Sequence, residues 1–124
     1  MTQAIILFAH GARDPRWCQP FEAVAEHLRS LRPGTAVRLA FLEFMTPTLL
    51  EAAEELAQGG WTEVSVVPMF LGAGGHVRRD LPQLVAALEQ RHPQVQWRLK
   101  PAIGEAPSVI QAMAREAAGL EPVP

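Results

Sequence analysis

A chain of 124 residues, 48% apolar and 19% charged, is long enough for one apolar core and too short for two ordinary ones. Its formal net charge of -2 lacks the basic excess of a nucleic-acid footprint, and no run approaches the ~18 continuous apolar residues of a membrane span, so neither nucleic acid nor membrane is expected as a partner. Cys18 is the only cysteine, which excludes an intramolecular disulfide and a thiolate cluster and leaves histidine and carboxylate to hold any metal.

Residues 1–9 are apolar but have no basic leader and run straight into a polar turn. They read as a buried first strand rather than a secretion signal, and a soluble, cytoplasmic protein is expected. From Ala4 to Ala9 the apolar residues do not alternate, as suits a strand covered on both faces of a parallel sheet. His10-Gly11-Ala12-Arg13 breaks the strand. Asp14 and Pro15 then supply a cap and a first-turn proline for a helix in which Phe21, Val24, Ala25, Leu28 and Leu31 recur at helical spacing, up to Pro33-Gly34.

A second strand is predicted over 37–44. Thr46-Pro47 repeats the cap-plus-proline signal, so a second helix is expected from near Pro47, with Leu49, Leu50, Ala53, Leu56 and Ala57 on its buried face and Gly59-Gly60 at its end. A third strand follows over 63–69. The segment 70–76, Phe-Leu-Gly-Ala-Gly-Gly-His, is too rich in glycine for a regular element and reads as a shaped loop. Asp80 and Pro82 open a third helix that ends at His92-Pro93; residues 95–99 form a fourth strand; and Ala106-Pro107-Ser108 begins a last helix carrying Val109, Ile110, Met113 and Ala117. The expected organisation is one domain over 1–119 and a short tail over 120–124.

Four repeats of strand then helix imply a parallel sheet with helices on both faces, and such sheets bind ligands beyond the carboxyl ends of their strands. Those ends carry His10, Glu43, the segment from Gly72 to His76, and Gly104-Glu105. Imidazole with carboxylate suits a divalent first-row ion, whereas an all-oxygen site would suit magnesium or calcium. Each residue also has a plainer reading: a histidine after a strand often bonds only to backbone, and Glu43 stands close enough to the second helix to serve as a cap or ion-pair carboxylate. The glycine segment lacks the Lys-Ser/Thr ending of a phosphate loop and the spacing of a dinucleotide fingerprint; its glycines instead allow backbone to approach a broad, flat ligand. Arg13, Arg16, Arg78 and Arg79 flank the two histidines and as a group fit an acidic ligand. Phosphoryl transfer on His10 is disfavoured because Ala9 stands where such phosphatases place arginine. His27 and His92 are expected at the surface, and the three tryptophans as packing groups.

Three segments together, ILFAHGARDP, AFLEFMTPTL and VPMFLGAGGHVRRDLP, resemble the small sirohydrochlorin chelatases of cobalamin and siroheme biosynthesis. The resemblance runs to about Gly119. It implies a three-layer, flavodoxin-like α/β fold and an ATP-independent lyase that inserts Co2+, Fe2+ or Ni2+, as substrate and with no permanent cofactor, into a tetrapyrrole. It further implies that His10, His76 and Glu43 are the catalytic and metal-binding residues. Gly11, Ala12, Arg13, Leu71, Gly72, Ala73, Gly74, Gly75, Arg78 and Arg79 then fall where substrate binds, and the short form of the family implies a homodimer. Ala12 departs from the serine common in relatives. A carrier that binds metal or tetrapyrrole without joining them is the alternative reading of the same site.

Overall fold

The computed structural model describes residues 3–72 and 74–121. Strands β1 (Gln3–Ala9), β2 (Ala36–Phe41), β3 (Glu63–Pro68) and β4 (Gln96–Leu99) pair in parallel in the order β2-β1-β3-β4. β1 is central, and Ile6, Leu7, Phe8 and Ala9 are all buried, which is why its apolar residues do not alternate. Helices α1 (Gln19–Leu31), α2 (Leu49–Gln58) and α3 (Gly75–Arg91) make the three crossovers, and α4 (Pro107–Ala117) follows a 3-10 turn at Ile103–Glu105.

The step from β1 to β2 runs across the sheet opposite to the two later steps. With right-handed crossovers, α1 must lie on one face and α2 and α3 on the other. Packing follows that rule. Ile6, Phe8, Val64 and Val66 are buried with Leu49 and Leu56 of α2 and Leu81, Val85 and Leu88 of α3, whereas Leu7 and Val37 pack with Ala25 and Leu28 of α1. The result is the expected three-layer α/β arrangement. Among the described residues no helix is long and apolar enough to cross a membrane.

The structure moves several expected boundaries. Asp14 does cap a helical turn, accepting from the Arg16 amide at 2.9 Å, but the turn is a separate 3-10 segment, Pro15–Cys18, before α1. β2 stops at Phe41 rather than continuing to residue 44, because the chain bends at 42–47, where Phe44 has a φ of 66°. The cap of α2 is Thr48, not Thr46, and the Thr46-Pro47 bond is cis. Thr48 wins because Glu51 lies three residues on and closes a capping box, with reciprocal bonds of 3.2 and 2.8 Å; Thr46 has Leu49 at that spacing. α3 starts at Gly75 rather than near Asp80, since Val77 extends the stripe of Leu81, Val85 and Leu88 backwards onto the core, and Pro82 sits inside the helix. α4 buries none of its residues, and Ile110 and Met113 remain exposed. Of the tail expected at 120–124, residues 122–124 lie outside the described residues.

His92, expected at the surface, has a side chain only 15% exposed, and its carbonyl accepts from the Trp97 indole at 3.3 Å. Its Nε2 is buried 3.2 Å from Glu54 Oε1. Arg91 reaches the same oxygen at 2.7 Å. These two partners tie the end of α3 to α2, and His92 first, then Arg91, hold the Glu54 carboxyl below the usual carboxylate range. A depressed carboxylate contributes stability above its unfolded value that is lost as pH falls through the folded one. Glu54→Gln should therefore lower the unfolding midpoint slightly near neutral pH, and its gap from the parent should close in acid. A gap that stays constant with pH would contradict this account.

Candidate functional site

Strand register sets the site. Ala9 lies level with Phe41, and Phe8 with Pro68, so the chain leaves β1, β2 and β3 at nearly one height along the sheet edge. From β1 the next strand lies to one side and β3 to the other, which makes the gap between the β1 and β3 exits the topological switch point, where open α/β sheets take ligands. His10 is the first residue after β1. His76 is in the first turn of α3, at the end of the β3 exit loop.

Backbone bonds continue past the strand ends and lock the exits together. The amides of Leu42 and Glu43 donate to the carbonyls of Ala9 and His10 at 2.9 and 3.0 Å, and the Met69 amide donates to Phe8 at 2.7 Å on the other side. Gly11 completes the seam. It has a φ of +89°, and a Cβ there would overlap the Glu43 carbonyl oxygen. Glu43 thus reaches the histidine loop through its backbone, and its side chain is exposed.

The β3 exit loop is fixed from both flanks. The His10 ring lies 4.4 Å from that of Phe70, tilted by 34°, and Phe70 is itself buried against Phe8 with ring centroids 6.1 Å apart. On the other flank the Gly104 amide donates to the Phe70 carbonyl at 2.9 Å, and Gly104 packs so closely on the Leu71 backbone that it has no room for a side chain. Glu105 of the same 3-10 turn meets Arg78 of α3 at 3.4 Å. Gly74 is the N-cap of α3 and makes no side-chain cap bond to its first amides.

His10, Glu43, Leu71, Gly72, Gly74, Gly75, His76, Arg13, Arg78 and Arg79 are all exposed, and Gly11 and Ala12 are half-buried at the same edge; Ala73 lies outside the described residues. Exposed imidazoles, one on a loop held by backbone bonds and one in the first turn of a helix, can hold an ion or move a proton at a bound ligand. The structure does not assemble His10, His76 and Glu43 as a finished ligand set: among the described residues no group of three or more His, Cys, Asp or Glu side chains is placed to hold a metal. The contacts that Glu43 makes with the His10 loop are those of its backbone amide and carbonyl. A 340 Å3 cavity lined by Pro68, Val77, Leu81 and Leu99, with Arg78, Lys100 and Glu105, lies on the β4 side, and neither histidine lines it.

The arginines are not equivalent. Arg16 is held by Asp14 at 2.9 Å, and that side-chain bond keeps the Asp14 carboxyl below its ordinary range. Arg78 is committed to Glu105. Arg13 instead lies over the ring of Phe44, with its Cζ 4.5 Å from the centroid, and has no carboxylate partner among the described residues. Phe70 and Phe44 are residues that sequence reasoning missed: Phe70 meets the His10 ring and Phe44 the Arg13 guanidinium, contacts between loops distant in sequence. Cys18 is buried, and burial pushes its thiol up.

The seam makes a definite demand on Gly11. Gly11→Ala should cost at least about 2 kcal/mol, since it adds a positive-φ penalty to a backbone overlap. Gly34→Ala, at a glycine with open space around it, should stay within about 1 kcal/mol of the parent. Equal denaturation midpoints for the two variants would refute the seam.

The CbiX family model matches residues 4–119. A sirohydrochlorin cobaltochelatase of Methanopyrus kandleri is 35% identical over 82 residues, which cover 66% of this chain and 57% of that protein. A sirohydrochlorin ferrochelatase of Bacillus subtilis is 28% identical over 91% of this chain and 43% of its own length, so the chain spans about half the length of these curated relatives. Among solved structures, a protein of Marinobacter aquaeolei VT8 named for CbiX and cobalamin (vitamin B12) biosynthesis superposes with a TM-score of 0.81 at 35% identity, covering 94% of this chain and 95% of that one. The sirohydrochlorin chelatase SirB of Bacillus subtilis subspecies spizizenii, in complex with cobalt, gives a TM-score of 0.81 at 27% identity, covering 96% of this chain and 51% of SirB. With a parallel sheet in the order β2-β1-β3-β4, a His-Gly exit from β1 and a family match over nearly its whole length, the chain belongs to the CbiX family.

Proposed function

We propose that this protein inserts a divalent metal ion into sirohydrochlorin or a closely related carboxylated tetrapyrrole. The observation that carries the reading is the contact of the His10 ring with Phe70, at the head of the loop that delivers His76 to the first turn of α3. It couples the two imidazoles to one edge of the sheet, at the switch point. The metal, Co2+, Fe2+ or Ni2+, is a substrate, and no permanent cofactor is required.

Two events slow the uncatalysed reaction: the hydrated ion must shed water, and two pyrrolic protons must leave the ring. Neutral imidazole serves both, as a ligand that replaces water and as a base that takes a proton. His10 and His76 take these roles, and the exposed Glu43 carboxylate balances charge nearby. Arg13, Arg78 and Arg79, with the open amides at the start of α3, receive the peripheral carboxylates, and Gly11, Ala12 and the Leu71–Gly75 segment border the macrocycle.

A flat macrocycle needs a wall on each side, and the histidine edge of this chain supplies one. The unburied face of α4 and the doubled length of the cobalt-bound SirB support a homodimer, in which a second copy supplies what the remainder of SirB supplies there. One free cysteine fits a reducing cytoplasm.

Anaerobic mixing with sirohydrochlorin and Co2+ or Fe2+ should change the absorbance of the tetrapyrrole faster than in protein-free solution. His10→Ala and His76→Ala should each remove most of the acceleration, on the order of 100-fold, and the active species should sediment at twice the chain mass. His76→Ala acting at the parent rate would reject the assignment.

A further inference from the structure

An exposed aromatic residue in a left-handed backbone conformation is unfavourable on two counts, and Phe44 is one. Its φ is 66°, a region that bulky L-residues rarely enter, and its side chain is 56% exposed, so packing in the core does not compensate the strain. The seam accounts for the position. Glu43 is bonded to His10 through its amide and pressed on Gly11 through its carbonyl, so the next residue must turn sharply away, and the ring of Phe44 is displayed beside the His10 loop. Glycine or asparagine would meet that backbone demand more cheaply.

The ring has a companion. The Arg13 guanidinium lies 4.5 Å from its centroid and engages no carboxylate among the described residues, unlike Arg16, Arg29, Arg38, Arg78 and Arg91. A guanidinium stacked on an aromatic face keeps its N–H donors directed outward in its own plane, where they can still grip a carboxylate in bidentate fashion. Leu42 and Leu71, on the loops either side of His10, are exposed as well.

We infer that Phe44 is a substrate-binding residue: its exposed ring packs on the apolar body of a carboxylated macrocycle and holds Arg13 in place to receive a carboxylate at the macrocycle's edge. The inference rests on the tetrapyrrole reading of the site and adds to it a paired element that the histidines do not provide.

The test combines stability with affinity. Metal-free sirohydrochlorin is titrated anaerobically into the full chain and into Phe44→Gly, Phe44→Leu, Arg13→Gln and the double variant Arg13→Gln with Phe44→Gly, and each protein is also unfolded in denaturant. Phe44→Gly should be at least as stable as the parent yet bind about tenfold more weakly, with Phe44→Leu between them. Arg13→Gln should also lose about tenfold, but much less once Phe44 is gone, because the two act together. Parent-like affinity in Phe44→Gly, or fully additive losses, would overturn the inference while leaving the tetrapyrrole reading intact. A change of oligomeric state in place of a change in affinity would assign Phe44 to the contact between copies and overturn it too. Failure of the parent itself to bind would remove both.

Discussion

The structure depends on the run of backbone hydrogen bonds that continues past the ends of the central strands. Ladder bonds fix a strand's position, but a functional loop keeps that precision only if its own peptide groups are paired. Here the carbonyls of Phe8, Ala9 and His10 each accept an amide from a neighbouring exit, two from the β2 side and one from the β3 side. His10 is therefore an exposed imidazole on a backbone as constrained as the sheet. Gly11 is the geometric condition for this, because any side chain there would push the Glu43 carbonyl away.

From that seam the other features follow in order. The turn it forces beyond Glu43 bends the chain before the cap of α2 and puts Phe44 at the rim. On the far side the β3 exit is clamped between the His10 ring and the Gly104-Glu105 turn, so α3 begins at a fixed height and His76 with it. Nothing in the site needs a large motion to bring its loops to one edge.

Much of this was legible in the sequence, for physical reasons that can be named. The unbroken apolar run of β1 reports burial on both faces, and that alone places it in the middle of a parallel sheet. That His10 and His76 come to one edge was legible because strand-to-helix turns in such sheets share it. Tertiary context overrode local signals elsewhere. Gly74 and Gly75 read as loop, yet they open α3, since Val77 is drawn onto the core. Thr46-Pro47 mimics a helix start, and the capping box at Thr48 and Glu51 outcompetes it. The backbone contacts of Glu43 with the His10 loop have no counterpart in its residue type. The roles of Phe44 and Phe70 depend on contacts between distant loops, and local sequence patterns carry no signal for such contacts.

The most direct measurement is an anomalous difference map from crystals grown anaerobically with Co2+. The account predicts one strong peak beyond the carboxyl ends of β1 and β3, about 2.1 Å from an imidazole nitrogen of His10 and of His76, as first-row metal-to-histidine bonds require. A peak bound by residues elsewhere, with both imidazoles empty, would contradict it.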